Sequence, residues 1–250
     1  MPPPPLHPLA HLSSTDRSLF YQYGIGPARH VEFPIIHHAF EHHARLQPHA
    51  IAVEHTPFNE CITYRQLDVQ ADRLATSLRA QSIVPGKRVC ILAKRSVTLV
   101  VAILAVLKSG AQYVPLDALT ITDDTLQFII HDSEPQVVLV MEEFAPRLST
   151  CAVPVIRLER SLRTDEAANP NPVKVQDLSS PTDGAYCIYT SGTTGMNYLY
   201  LTPNNTSDHS KKNNRPTKGS RRQAPRGHQW WVSPYILTQR LSSDANVNFQ

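Results

Sequence analysis

Residues 88–117 read RVCILAKRSVTLVVAILAVLKSGAQYVPLD, and this stretch carries the pattern that predicts the fold. Its first six residues, RVCILA, form a short apolar run that is typical of a buried strand. Residues 96–108 are predicted to form an apolar helix with Ser96 as a suitable N-cap. Residues 112–116 (QYVPL) are predicted to form a second strand. A strand, a helix and a strand in this order indicate a parallel βαβ unit.

The same alternation continues on both sides of this unit. Before it, the sequence predicts a helix that begins at Pro34 in its first turn, two short strands and a long helix that ends before Pro85. After it come a helix over residues 123–132 and strands over residues 136–141, 153–158 and 185–189. We therefore predict an α/β fold, a doubly wound parallel sheet with flanking helices, whose ligands bind beyond the carboxyl ends of the strands.

Charge divides the 250-residue chain into two parts. Residues 1–195 carry 16 Lys and Arg against 19 Asp and Glu, whereas residues 196–250 carry 8 against 2. Seven of the basic residues stand between positions 211 and 228 without an acidic one. Such a block predicts a disordered basic tail over residues 196–250. Binding of nucleic acid through this tail, with Trp230 and Trp231 stacking on bases, is an alternative that no accompanying binding fold supports.

Several features bear on location and on the first residues. The longest apolar run covers residues 97–107, which is too short for a membrane span of about 20 residues. The start, MPPPPLHPLAHL, has no basic segment followed by an apolar one, as a secretory signal has. The four cysteines lie far apart, without a CxxC pair. We expect a cytoplasmic protein without membrane contact, in which residues 1–17 form a flexible N-terminal segment.

The stretch YTSGTTG, residues 189–195, directly follows the last predicted strand. Glycines allow sharp turns and close approach of a ligand to the backbone. Successive backbone N–H groups in such a loop can form a nest that binds anions, and hydroxyl groups add further donors. A plain solvent-exposed turn is the alternative interpretation. The loop is not a Walker A motif, because no Gly-Lys-Ser/Thr follows.

Three motifs together point to one family. YTSGTTG resembles the phosphate-binding core motif of adenylate-forming enzymes. LKSGAQYVPLD (residues 107–117) is similar to the family's LKAGxAYVPLD motif, and ITYRQL (residues 62–67) is similar to its LTYxEL motif. They occur in the family's order and rough spacing. Residues 18–195 therefore resemble the N-terminal part of an adenylation domain of a fungal nonribosomal peptide synthetase.

This resemblance implies a chemistry. In the family, ATP and a carboxylic acid, either an amino acid or an aryl acid, give an acyl-AMP and pyrophosphate. The β- and γ-phosphates would be held by Thr190, Ser191, Gly192, Thr193, Thr194 and Gly195. Magnesium would bridge the phosphate oxygens, and other synthetase chains are possible partners. The other two motifs are structural in the family, so no catalytic residue is assigned.

The sequence also departs from the family. The family continues its loop with a Pro-Lys-Gly step, whereas Met196, Asn197 and Tyr198 follow here. The family's later motifs, including its C-terminal catalytic lysine and the carrier serine for phosphopantetheine, have no counterpart. We therefore expect a truncated adenylation domain that is inactive alone; a non-catalytic module that binds a synthetase partner is the alternative. One hypothesis is that the residues after Gly195 translate an unspliced intron or a shifted frame.

Histidines cluster in the first long predicted helix. His38 and His42 stand four residues apart, with His37 and His43 beside them, so a metal pair is conceivable. No third ligand is evident in the neighbouring sequence. The interpretation favoured here is a solvated polar face of the helix, and no metal site is predicted. Cys187, on the last predicted strand, is expected to be a small buried residue and not a nucleophile.

Overall fold

The computed structural model describes residues 12–24, 32–163, 174–192, 195–201 and 247–249. The helices are α1 (Ser14–Tyr23), α2 (Ile36–Leu46), α3 (Tyr64–Ala80), α4 (Val97–Lys108), α5 (Asp123–Ser133) and α6 (Leu158–Leu162). The strands are β1 (Ile51–His55), β2 (Glu60–Thr63), β3 (Arg88–Ala93), β4 (Gln112–Asp117), β5 (Val137–Val140), β6 (Val155–Arg157), β7 (Tyr186–Gly192), β8 (Gly195–Leu201) and β9 (Val247–Phe249). Two 3₁₀ helices cover Thr56–Phe58 and Glu142–Leu148.

Six strands form the main sheet in the order β6-β5-β3-β4-β7-β8. The first five run parallel, and β8 pairs antiparallel with β7. Val89 of the central strand β3 lies opposite Tyr113 on one side and Val137 on the other. A smaller sheet has the order β2-β1-β9. The chain order βαβ of β3, α4 and β4 produces the parallel pairing because the helix returns the chain to the same end of the sheet.

Both faces of the main sheet are covered. Val89 and Ile91 of β3 point into a core cluster that contains the apolar faces of α3 and α4. The intervening Cys90 and Leu92 point into a second cluster with Leu126 and its neighbours on α5. Successive side chains of a strand alternate between faces, so a strand that is apolar throughout must be covered on both sides. The predicted doubly wound α/β arrangement is confirmed.

The helix starts follow local capping signals. Ser96 Oγ accepts a hydrogen bond of 3.1 Å from the Leu99 N–H at the start of α4, as predicted. Thr63 and Gln66 form a capping box at the start of α3. The prediction for Pro34 is wrong: Ile35 is the N-cap of α2, and Pro34 precedes it. Ile35 has an extended backbone, with φ −123° and ψ 129°, so the helical turns start only after it.

Both predicted irregular ends contain regular structure. Helix α1 begins at Ser14, within the segment that was expected to be flexible, because Ser13 Oγ accepts the Asp16 N–H at 3.1 Å. The prediction of a disordered tail is wrong for residues 196–201 and 247–249, which form strands β8 and β9. The apolar and aromatic residues at positions 196–201 favour a strand beside β7. Residues 1–11 and 202–246 lie outside the described residues.

A buried ion cluster joins α2, α3 and α4. Lys108 Nζ lies 2.6 Å from Asp68 Oδ1, 2.6 Å from Asp72 Oδ1 and 3.2 Å from Glu41 Oε1. Glu41 is also paired with Lys174 at 2.5 Å. Burial alone would lower the pKa of Lys108, but the three carboxylates outweigh it and raise that pKa. The lysine of the LKSG stretch is thus a structural cation, in agreement with the structural role that the resemblance implies for this motif.

Candidate functional site

Strand β7 carries the YTSGTTG motif at its carboxyl end. It extends the parallel sheet beside β4, where Tyr186 lies opposite Tyr113 and the Tyr113 N–H donates to the Ala185 carbonyl at 3.2 Å. The motif therefore lies at the edge of the sheet where ligands of doubly wound folds bind. Its position agrees with the sequence analysis.

The backbone of the motif is more regular than expected. Thr190, Ser191 and Gly192 belong to β7 and lie opposite Asn197, Met196 and Gly195 of β8. Thr193 and Thr194, between the facing glycines, lie outside the described residues. The prediction of one open loop over residues 190–195 is thus wrong for positions 190–192, which are extended and paired. The physical reason is that the residues after Gly195 supply a partner strand for β7, whereas they were expected to be unfolded.

Tyr189, the first residue of the motif, and Cys187, two residues before it, are held firmly. The Tyr189 hydroxyl donates a hydrogen bond of 2.7 Å to Asp132 Oδ2, which ties β7 to the last turn of α5. Burial and the neighbouring Asp132 carboxylate raise the pKa of Tyr189, so this phenol stays protonated. Cys187 is fully buried, and burial raises the pKa of its thiol to about 12. The prediction that Cys187 is a packing residue is confirmed.

Charged groups at the ends of two other strands of the sheet, β3 and β6, are paired with carboxylates. Lys94, directly after β3, lies 2.8 Å from Glu143 Oε1. Arg157, at the end of β6, is paired with Glu142, and the Glu142 N–H donates to Glu159 Oε2 at 2.8 Å. These cations compensate carboxylates of the same edge.

The histidines of α2 do not all lie on a solvated face of the helix, contrary to the prediction from the sequence. His37 is buried, with 4% of its side chain exposed, and its Nε2 lies 3.5 Å from Asp177 Oδ2. His38, which is more exposed, contacts the same carboxylate oxygen. Sequence reasoning missed Asp177 because it follows a stretch without periodicity and stands about 140 residues away, so no local signal links it to the histidines.

A family model described as AMP-binding enzyme matches residues 40–197, which is more than half of this chain. The chain belongs to the AMP-binding enzyme family. The match includes all three motifs identified in the sequence, and it ends within β8, two residues after the YTSGTTG motif. The described part of this chain has the fold of the N-terminal part of adenylate-forming enzymes.

Two kinds of curated relatives are similar to this chain. Adenylate-forming reductase 06235 of Coprinopsis cinerea is 46% identical over 189 residues, which cover 75% of this chain and 18% of the relative. Surfactin synthase subunit 2 of Bacillus subtilis is 38% identical over 160 residues, which cover 64% of this chain and 4% of the relative. The chain thus spans less than a fifth of the length of these relatives.

Solved structures show the same fold. A nonribosomal peptide synthetase, FmoA3, solved with α-methyl-L-serine-AMP bound, superposes with a TM-score of 0.64 at 22% identity, covering 76% of this chain and 20% of that one. A fatty acyl CoA synthetase of Mycobacterium tuberculosis gives a TM-score of 0.59 at 24% identity and covers 68% of this chain and 35% of that one. Among the helices in the described ranges, none has the length and apolar character needed to cross a bilayer.

Proposed function

We propose that this chain is the nucleotide-binding part of an adenylate-forming unit that activates a carboxylic acid with ATP. The oxygen of the acid attacks the α-phosphorus, an acyl-AMP forms and pyrophosphate leaves. The observation that carries the proposal is the YTSGTTG motif at the carboxyl end of β7, within the stretch that the AMP-binding family model matches. The acid is an amino or aryl acid, and the chemistry belongs to secondary-metabolite synthesis.

The motif residues fit a triphosphate by their chemistry. Thr190, Ser191, Thr193 and Thr194 bring hydroxyl donors, and Gly192 and Gly195 leave the backbone open to close approach. Phosphate oxygens are the acceptors that such a set of donors binds best. The motif contains no carboxylate, so Mg²⁺ would be held chiefly by the phosphates themselves and by water. There it would neutralise charge on the leaving pyrophosphate.

We also propose that these 250 residues bind nucleotide without completing the reaction. Between Gly195 and Ser210 the sequence has no lysine or arginine, so the leaving group lacks a cation from the chain that follows the motif. Catalysis of adenylate formation depends on positioning and on positive charge beside the phosphates. A triphosphate held by amides and hydroxyls alone would therefore react slowly.

Nucleotide binding is tested by titrating the purified chain with MgATP in equilibrium dialysis. We expect saturable binding that Ser191→Ala weakens by about 10-fold or more, because a hydrogen bond to a charged group contributes about 1.5–3 kcal/mol. Ser77→Ala, on the exposed face of α3, is the matched control and should bind as the unchanged chain does. Equal affinities of the two variants, or no binding at all, would contradict the proposed site.

Turnover is tested separately by ATP–pyrophosphate exchange with pooled amino and aryl acids. We expect no label in ATP above background for the isolated chain. Exchange above background would refute the proposed inactivity while leaving the nucleotide site intact. The two experiments therefore separate the binding claim from the turnover claim.

One observation favours a specific use of the activated acid. The two relatives named adenylate-forming reductases share 46% and 44% of residues with this chain, whereas surfactin synthase subunit 2 shares 38%. We therefore propose, as a second candidate, that the activated acyl group of the parent unit is reduced in place of peptide synthesis: a hydride donor adds hydride to the acyl carbon, an aldehyde forms and AMP leaves. Sequencing of full-length transcripts tests this: a reading frame that continues into a reductase segment would support the proposal, and one that continues into peptide-synthetase segments would contradict it.

A further inference from the structure

Two histidines and one carboxylate meet where α2 packs against the segment that leads to β7. His37 and His38 are neighbours on α2, and both Nε2 atoms approach Asp177 Oδ2, at 3.5 Å for His37 and more closely for His38. The three ligand atoms lie within 4.8 Å of one another. Asp177 itself is oriented by the Ser179 N–H, which donates to its other oxygen at 2.8 Å.

The burial of His37 leaves one of its ring nitrogens unsatisfied among the described residues. Its side chain is only 4% exposed, and its Nε2 atom has no partner in hydrogen-bonding geometry among the described residues. A buried polar atom without a partner is costly, so native proteins rarely retain one without a reason. The atom is directed toward Asp177, beside the imidazole of His38. A ligand at this point would satisfy both nitrogens and the carboxylate together.

The electrostatics suit a cation. The Asp177 carboxylate lies beside the imidazoles of His37 and His38, so the set combines one oxygen ligand with two nitrogen ligands. Two imidazoles and one carboxylate form a ligand set that zinc uses in proteins, with a fourth position open to water. His38 and Asp177 are 38% and 35% exposed, which gives the ion and a water molecule a path from solvent.

We propose that His37, His38 and Asp177 form a binding site for a divalent transition-metal ion of the zinc type. Ligand atoms of a tetrahedral zinc site with bonds of about 2.0–2.2 Å lie about 3.4 Å apart, close to the 3.5 Å between His37 Nε2 and Asp177 Oδ2. Insertion of the ion requires His38 to move slightly away from Asp177, which its exposure permits.

A second cluster of possible ligands among the described residues already holds a cation. The carboxylates of Glu41, Asp68 and Asp72 also lie close together, but the ammonium group of Lys108 already stands between them. At the histidine cluster the Asp177 carboxylate faces the imidazoles of His37 and His38 instead. A metal ion there would connect α2 with residues 174–180, which lead into β7 and its candidate phosphate motif.

The site is tested on the whole purified chain after chelator treatment, with ZnCl₂ and CoCl₂ as probes. We expect one equivalent of Zn²⁺ to raise the melting temperature, and Co²⁺ to give a visible d–d spectrum without a thiolate charge-transfer band. His38→Asn and Asp177→Asn should each weaken binding by about 10- to 100-fold or more, because second-shell changes alone have that effect. Both positions are partly exposed, so the variants should fold.

His42→Asn is the matched control, since His42 lies on the same helix but contacts Phe33 and not Asp177. It should bind Zn²⁺ as the unchanged chain does. The proposal is overturned if the unchanged chain binds no Zn²⁺, if the His38 and Asp177 variants bind as tightly as the control, or if the Co²⁺ spectrum shows cysteine ligation. Retained MgATP binding in the Asp177→Asn variant would keep this test independent of the nucleotide site.

Discussion

Lys108→Met is expected to lower the free energy of unfolding by about 3–5 kcal/mol, because it leaves buried carboxylates without their cation. The lysine side chain is 3% exposed, and its ammonium group contacts Asp68, Asp72 and Glu41. Methionine is similar in length and apolar character to the aliphatic part of the lysine side chain. The loss in the free energy of unfolding is therefore attributed to the missing charge and its hydrogen bonds. Urea unfolding followed by circular dichroism measures the change.

Lys174→Met provides the matched control. Lys174 also pairs with Glu41, but 54% of its side chain is exposed, so water screens the pair. Exposed ion pairs contribute about 0–1 kcal/mol, and we expect a loss in that range. Equal effects of the two substitutions would show that burial of the cluster does not determine its contribution. If the Lys108 variant fails to fold, Asp68→Asn, at a carboxylate that is 30% exposed, gives a milder test.

Gly110→Ala is the second substitution with a large expected effect. Gly110 follows Lys108 and Ser109 at the end of α4 and has a φ of +82°, where a Cβ atom costs about 1–2 kcal/mol. An added Cβ would also lie 2.8 Å from Pro85 Cγ and 3.1 Å from Pro85 Cδ. Proline is rigid, so the backbone must move. We expect a loss of about 2–4 kcal/mol in the free energy of unfolding, the excess over the conformational cost coming from overpacking.

Gly86→Ala separates the two causes. Gly86 has nearly the same φ, +83°, but nothing lies within 4 Å of an added Cβ. It should show the conformational cost alone, about 1–2 kcal/mol. A Gly110 variant no less stable than the Gly86 variant would mean that the contact with Pro85 relaxes without cost.

The central βαβ unit could be predicted closely from the sequence because its signals are local. The apolar run of β3, the Ser96 cap and the apolar helix α4 each act within a few residues, and the structure places β3 and α4 where they were expected. The position of the YTSGTTG motif could also be predicted from the sequence. The end of the buried strand before it is marked by a change from apolar residues to glycine, serine and threonine.

Contacts between residues that are far apart in the sequence could not be predicted. The strand character of residues 195–201 depends on β7 as a partner, and β9 pairs with β1 across almost 200 residues of chain. The contact of His37 and His38 with Asp177 depends on how the segment before β7 packs on α2. No periodicity or spacing in the sequence encodes such contacts, because they arise only after the chain has folded.

The hairpin of β7 and β8 has a consequence for nucleotide capture. An amide that donates to the opposite strand is not free to donate to a phosphate oxygen, and in an antiparallel pair every second residue donates in this way. One of the neighbouring residues Ser191 and Gly192 therefore has its amide engaged with β8, and phosphate binding by that amide would require this end of the ladder to open. Ligand uptake would then be coupled to fraying of the hairpin tip. The observed rate of nucleotide binding would then level off at high nucleotide concentration, because the conformational step would become rate-limiting.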